Sequence, residues 1–434
     1  MAVINFFKGH PSTQLLPSKL IADTYSKVLI NNSDYLDYDN DPNNQHPLAY
    51  GTDSGNLDIR NTISNWVNSK YRSNYLTPDL INLTAGASYG VANILTSTTL
   101  PSITKKAFIV TPTYFLINSS FFDVGLGDDL IAINETAGEE YDIDIQKLEE
   151  DLQKYGEEDQ ASKNIIKDPR GERKIYQFVL YMVPTFSNPG GITYSRKTRE
   201  KLIQLARKYD MLIISDDVYE YLDYSNVETV VEPIPKLNQL DQESITNKYG
   251  NTISNATFSK IIAPGLRVGW QESPTPHLVH QLSVTGANKS GGTPSQLSTF
   301  IVNDLIKSGQ LDEIILRFKG IYKDRTEVLK ESVKKYLPEG TQVYGGDGGY
   351  FLWVKLPDYV DNQKVIKEVQ KKGVILAGGE HFEVLGESNK HDWGKSCSRL
   401  CISFLTSEEI EQGIKLWGET IHEVSNRDKT FNGH

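Results

Sequence analysis

The chain has 434 residues, with 45 Lys plus Arg against 56 Asp plus Glu and a formal charge of −11. At 38% hydrophobic and 23% charged residues, it has a globular balance and room for two or three domains. An acidic net charge repels phosphate backbones and anionic lipid, so no nucleic-acid or membrane partner is expected.

The opening, MAVINFFKGHP, has no basic start followed by an apolar core, so it does not read as a signal peptide. No apolar run approaches the ~20 residues that span a bilayer. A cytoplasmic protein is expected. Two cysteines, Cys397 and Cys401, in so long a chain make a structural disulfide unlooked-for. The eight histidines are scattered, with no metal-ligand spacing, so no metal is expected.

In chain order, SYGVANILTSTT (88–99) reads as a helix and AFIV (107–110) as a strand before TPTY. The highly charged stretch 149–174 reads as a helix end and a solvated loop. FVLYMV (178–183) reads as a strand before PTFSNPGG. SRKTREKLIQLARKY (195–209) reads as a helix capped by Ser195, with Leu202, Leu205 and Ala206 on one face. MLIIS (211–215), ATFS (256–259) and RVGW (267–270) read as further strands. Runs apolar on both faces point to a parallel sheet covered on both sides, an α/β core with crossover connections. Residues 312–336 read as a long amphipathic helix, and GTQVYGGDGGYFLWVKLP (340–357) as strand, turn, strand. The C-terminal third therefore reads as a smaller α+β domain. The final SNRDKTFNGH reads as a frayed tail.

Several polar residues stand at the ends of these runs. Lys260 follows an apolar strand and precedes a Pro-Gly turn and Arg267. A solvated lysine is the ordinary explanation, but partial burial would favour a neutral amine able to form a Schiff base. Thr257, Ser259 and Arg267 have the donors to hold a phosphate. Asp216 ends an apolar strand, where α/β proteins place ligands; a helix cap is the plainer alternative. On the functional reading Asp216 keeps a ring nitrogen protonated, and Tyr219 donates to a phenolic oxygen. LTAGASYG (83–90) places bare N–H groups at a helix start, a phosphate-binding geometry that ordinary turns also produce. Tyr114 and Asn188 follow other strands, as core tyrosine or turn residue if not as site residues. Arg399 opens an apolar strand and suits a carboxylate, or a surface salt bridge.

The series Tyr50…Gly55…Arg60, Gly86-Ala87-Ser88, Pro112-Thr113-Tyr114, Asn188-Pro189-Gly190-Gly191, Asp216-Asp217-Val218-Tyr219, Ser259-Lys260, Arg267 and Arg399 resembles fold-type I, class I/II aminotransferases. INFFKGHPSTQLLP (4–17), TFSKIIAPGLRVGW (257–270), GGYFLWVKLP (348–357) and GGEHF (378–382) are similar to the 2-aminoadipate and kynurenine aminotransferase branch. The resemblance covers essentially the whole chain. It implies pyridoxal 5′-phosphate (PLP) as cofactor and a large domain with a mostly parallel sheet flanked by helices. The implied division is an N-terminal arm (1–45) joining the small domain, a large domain (46–310) and a small one (311–434). Since the family motif begins by residue 4, no cleaved transit peptide is expected.

The resemblance also implies roles. Lys260 forms the Schiff base and moves the proton between Cα and C4′. Asp216 holds the pyridinium proton, Tyr219 and Asn188 bond the ring O3′, and Tyr114 stacks on the ring. Gly86, the N–H groups of Ala87 and Ser88, Thr257, Ser259 and Arg267 hold the phosphate, with Tyr50 reaching in from a partner subunit. Arg399 binds the substrate α-carboxylate, helped by Gly9 and Asn188. Two departures are G-A-S-Y for G-S-Q-x and N-P-G-G for N-P-T-G; the stretch 386–397 looks like an insertion.

The expected activity is transfer of an amino group from an L-amino acid to a 2-oxo acid such as 2-oxoglutarate, by a ping-pong mechanism in a homodimer. A β-eliminating C–S lyase on the same fold is the alternative. A PLP-binding regulator is the third reading, disfavoured because the aminotransferase motif starts at once and the charge is −11. In relatives a helix, here around 17–33, covers the substrate side chain. Lys19 or Lys27 would meet an acidic one; Phe6, Phe7, Leu15, Leu16 or Tyr25 would meet an aromatic or aliphatic one.

Overall fold

The computed structural model describes residues 3–32, 38, 40–156, 163–225, 233–386 and 391–431, with side chains through 426. Its strands begin with β1 (Ile4–Asn5), β2 (Ile81–Thr84), β3 (Lys106–Thr111), β4 (Leu130–Asn134) and the hairpin β5 (Ile165–Asp168) and β6 (Gly171–Lys174). Then come β7 (Phe178–Met182), β8 (Met211–Asp217), β9 (Thr252–Thr257) and β10 (Gly269–Glu272). The last are β11 (Gln342–Gly345), β12 (Phe351–Lys355), β13 (Val374–Ile375), β14 (Ala377–Gly378) and β15 (Cys397–Cys401).

A seven-stranded sheet runs in the order β2-β10-β9-β8-β7-β3-β4. Strands β4, β3, β7, β8 and β9 are mutually parallel, as the apolar runs predict. Every residue of β7, β8 and β9 is buried, because helices cover both faces. The helix Arg196–Lys208 shows how: Ser195 accepts from the Thr198 N–H, and Leu202, Leu205 and Ala206 pack into the core beside β8. After β4 the chain returns to the other side of β3. The carboxyl ends of β3, β7, β8 and β9 therefore open onto one crevice at a topological switch point.

A second, antiparallel sheet has the order β11-β12-β15-β14, backed by helices Gln310–Tyr336, Asn362–Lys371 and Ser407–Phe431. Strand β1 pairs in parallel with β13, Ile4 opposite Val374. The chain's start is thus sewn to its last quarter. Arg399, on β15, faces back toward the strand ends of the larger sheet, where Asn188 accepts from its guanidinium.

Four expectations need correction. The run 256–259 is not the strand: β9 ends at Thr257, and Phe258 to Lys260 turn out of the sheet. The run 267–270 is displaced too, because Arg267 adopts a left-handed φ of 54° and β10 starts at Gly269. Strand β10 is antiparallel to both neighbours in a sheet that is otherwise parallel, in keeping with the mostly parallel sheet expected. The stretch 149–174 is no simple loop. Helix Ile145–Tyr155 ends in it, β5 and β6 form a hairpin, and Lys174 reaches Asp210 at 2.7 Å, both buried; residues 157–162 lie outside the described set. The expected frayed tail continues a helix to Phe431. Of the insertion-like stretch, 387–390 lie outside the described residues, and Trp393–Lys395 form a short turn before β15. Both cysteines are free and buried.

Beneath the strand ends lies a buried ionic cluster. Lys236 Nζ stands 2.7 Å from Glu272 and 3.0 Å from Glu220, and all three side chains are buried. Trp270, Asn238 and Tyr75 donate to Glu272. Burial pushes Glu220 up to about 8. Burial alone would pull the Lys236 ammonium down, but Glu220 and Glu272 carry it well above the ordinary lysine value. Lys236→Met leaves two buried carboxylates without their cation. It is expected to lower the unfolding free energy by about 3–5 kcal/mol, read from urea denaturation at pH 8.

Candidate active site

Sheet ends, the N-terminal arm and β15 enclose a cavity of about 380 Å³. Its lining holds Gly9, Ala87, Ser88, Tyr114, Asn188, Asp216, Tyr219, Thr257, Ser259, Lys260, Arg267 and Arg399. Residues spread over 390 positions of sequence thus meet in one place. Gly86 stands just behind, at φ +92°, where a Cβ would fall 2.8 Å from Arg267 Nη2. Tyr50 is not in this cavity. It is 82% exposed and borders a separate shallow groove with Arg60.

Asp216 is 6% exposed at the end of β8. Tyr181, on β7, donates its O–H to Oδ2 at 2.7 Å, and Asn255, on β9, donates from Nδ2 to Oδ1 at 2.8 Å. Asn255 stands directly opposite Asp216 in the β8–β9 register. Burial raises Asp216 to about 6, and these two hydrogen bonds pull it back toward the ordinary carboxylate value.

Lys260 Nζ donates to the Gly9 carbonyl at 3.0 Å, and its backbone carbonyl accepts from the Tyr350 O–H at 2.8 Å. Burial lowers its amine to about 8. A substantial fraction is therefore neutral and nucleophilic in mildly alkaline solution. Tyr219 is buried beside Tyr350 and Phe351, and burial pushes its hydroxyl well above the usual range.

Arg399 donates from Nη1 to Asn188 Oδ1 at 3.0 Å and from Nη2 to the Phe7 carbonyl at 2.7 Å. Its guanidinium lies 4.1 Å from the Phe351 ring centre and 4.9 Å from that of Phe382. Its Nε is buried without a hydrogen-bond partner. A buried guanidinium that rests on aromatic rings and lines a cavity is suited to a carboxylate.

On the opposite wall, helix Ala87–Thr98 points its N-terminus at the cavity. The Thr257 and Ser259 hydroxyls are 2.9 Å apart, and Arg267 bonds the Ala85 and Pro264 carbonyls. Gly269 lets this wall close up: a Cβ there would lie 2.9 Å from the Gly86 Cα and 2.5 Å from the Ala256 carbonyl oxygen.

Sequence reasoning missed Tyr181 and Asn255, the donors to Asp216, and Lys8 and His10 on the arm. Tyr181 is one apolar-looking residue within 178–183, and Asn255 carried the fainter signal of an amide inside a buried strand. Of the five residues offered for an apolar side chain, Phe7 lines the cavity, whereas Phe6 and Leu15 are core, Leu16 packs against the core and Tyr25 bonds Ser298. Lys19 pairs with Asp23 and Lys27 with Asp304, and neither lines the cavity. The helix bearing them is Ser18–Asn31; residue 33 lies outside the described set.

Known proteins bear on what this arrangement is. The profile of aminotransferase class I and II matches residues 41–415. The aromatic-amino-acid aminotransferase 1 of Thermococcus litoralis is 27% identical, over 97% of this chain and 88% of its own. An uncharacterized protein of Saccharomyces cerevisiae is 44% identical over 98% of both chains. The crystal structure of Pyrococcus horikoshii kynurenine aminotransferase in complex with PMP matches at a TM-score of 0.76 and 25% identity, over 98% of this chain and 92% of that one. The chain belongs to the class I and II aminotransferase family. It is a PLP-dependent transaminase of fold type I. No helix among the described residues is long and apolar enough to cross a membrane.

The raised Asp216 value has a consequence without cofactor. A folded pKa near 6, above the unfolded 3.8, stabilises below about pH 4 and is lost as pH rises through 6. Asp216→Asn copies the protonated form. In the cofactor-free protein it is expected to gain stability over wild type between pH 4 and 6, reaching roughly 3 kcal/mol above that, by urea denaturation across pH.

Proposed function

We propose that the chain passes the amino group of an L-amino acid to 2-oxoglutarate or a similar 2-oxo acid in two half-reactions at this cavity. Aromatic amino acids and 2-aminoadipate are the first candidate donors. The observation that carries the reading is the convergence of a buried lysine amine, a doubly hydrogen-bonded carboxylate and a buried arginine on one cavity.

The donor set fits PLP. Asp216 offers its carboxylate to a ring nitrogen, and the Tyr181 and Asn255 hydrogen bonds favour the ionised form that this needs. The N–H groups of Ala87 and Ser88, the hydroxyls of Thr257 and Ser259 and the Arg267 guanidinium would hold the phosphate, and the absent side chain at Gly86 leaves room for it. Tyr114 would lie against the ring, with Tyr219 and Asn188 at its hydroxyl. When bound, the protonated ring supplies a sink for the electron pair released at the substrate Cα.

The protein's own groups do the rest. Arg399 fixes the substrate carboxylate, with Gly9 and Asn188 beside it, and so sets which Cα bond is presented for cleavage. Lys260, held near 8, takes the Cα proton as a base and returns it. Phe7 and Phe115, ring centres 5.9 Å apart at the mouth, suit an aromatic side chain.

Tyr50 is read as belonging to a neighbour's site. Its 82% exposure, beside Leu48 at 64%, supports a homodimer in which this segment is covered by a second copy. The division into an arm (1–45), a large domain (46–310) and a small domain (311–434) is likewise a proposal; the two separate sheets and the β1–β13 pairing support it.

The test is a visible spectrum of the purified, cofactor-loaded protein. An aromatic amino acid or 2-aminoadipate is expected to bleach the cofactor band, and 2-oxoglutarate to restore it. Colour that persists with the whole donor panel sinks the transaminase substrates proposed here. Lys260→Ala is expected to abolish turnover. Arg399→Ala is expected to lower kcat/KM for every donor by roughly 10- to 100-fold, through loss of a charge-assisted contact.

A further inference from the structure

Among the side chains lining the cavity, Lys8, Lys260, Arg267 and Arg399 are cationic, against the one carboxylate of Asp216. Such a wall selects ligands carrying several negative charges. In the reading above, Arg267 answers the cofactor phosphate, Arg399 the substrate α-carboxylate, and Lys260 serves as base. Lys8 is left without an anion.

Lys8 is exposed, but the backbone on both sides of it is held. The carbonyl before it, on Phe7, accepts from Arg399, and the carbonyl after it, on Gly9, accepts from Lys260. Further along the arm, Ser403 donates to the His10 carbonyl at 3.0 Å, and upstream the Phe6 carbonyl accepts from the Cys401 N–H. The backbone at Lys8 is thus held between Arg399 and Lys260, and its side chain lines the same cavity. Its ammonium lies 4.2 Å from the Phe404 ring centre, and His10 packs edge-on against the same ring. It makes no ion pair with an acidic side chain among the described residues. A cation resting on one aromatic face keeps N–H donors for an anion on its other side.

We propose that Lys8 binds the distal carboxylate of a dicarboxylic amino acid or 2-oxo acid whose α-carboxylate is held by Arg399. The inference rests on the transaminase reading and names the part of the substrate that reading left open. It places acid recognition on the arm, and not on the Ser18–Asn31 helix, whose Lys19 and Lys27 are engaged elsewhere.

The experiment compares wild type, Lys8→Met and Lys8→Arg as holoenzymes with one amino donor. The readout is the ratio of kcat/KM for 2-oxoglutarate to that for phenylpyruvate, which lacks a distal carboxylate. The ratio is expected to fall roughly tenfold or more in Lys8→Met and to return to within about threefold in Lys8→Arg. An unchanged ratio, or equal losses for both acceptors, overturns the proposal. Calorimetric binding of glutarate and of pentanoate to the same holoenzymes separates this from the wider reading. If wild type uses neither acceptor, the proposed substrates fail. A glutarate preference that survives in Lys8→Met then overturns the role of Lys8, and one lost in it sustains that role.

Discussion

A carboxylate taken out of water must be given donors, and Asp216 receives two, one from the strand on each side. That requirement orders much of what surrounds it. Tyr181 and Asn255 reach it because β7, β8 and β9 are adjacent, parallel and in register. Asn255 also donates to the Ala87 carbonyl at 3.0 Å, so the same amide ties the carboxylate to the start of helix Ala87–Thr98. Gly90 permits this, since a Cβ there would lie 1.9 Å from Asn255 Oδ1. Five residues after Asn255 the chain reaches Lys260. One buried charge thereby fixes the relative positions of a strand end, a helix N-terminus and an amine.

The other half of the cavity is assembled from far away in sequence. Arg399 comes from the antiparallel sheet, Phe7 to His10 from the chain's first residues, and Asn188 from the turn after β7. Arg399 joins the three, through the Asn188 side chain and the Phe7 carbonyl. A side chain that holds two parts of the protein together while lining the cavity is both structural and within reach of a ligand there. Its replacement therefore disturbs the position of the arm as well as the charge at the site.

Much of this was legible in the chain. Lys260, Asp216, Asn188 and Arg399 stand where apolar runs meet turn chemistry, and a polar residue at the end of a buried strand is conspicuous. The helices Arg196–Lys208 and Gln310–Tyr336 follow from their periodicity and, for the first, the Ser195 cap. What was not legible depends on partners distant in sequence. Tyr181 looks like one more apolar strand residue until its hydroxyl finds Asp216. The direction of β10 is set by pairing with β2 and β9, which no local pattern encodes. The hairpin of β5 and β6 is masked by its charges, because its Lys174 is buried only through Asp210. Lys8 looks like any surface lysine until the arm is laid across the cavity.

The pairing of β1 with β13 bears on how the protein is made. Residues 4 to 10 leave the ribosome long before their partners at Ile375, Arg399, Cys401 and Ser403. Contacts of such long sequence separation form late, after the loop between them has been closed. During synthesis Lys260, Asp216 and the start of helix Ala87–Thr98 can all be in place while the arm still hangs free. The cavity therefore acquires the wall formed by the arm only when residues 399–403 have emerged.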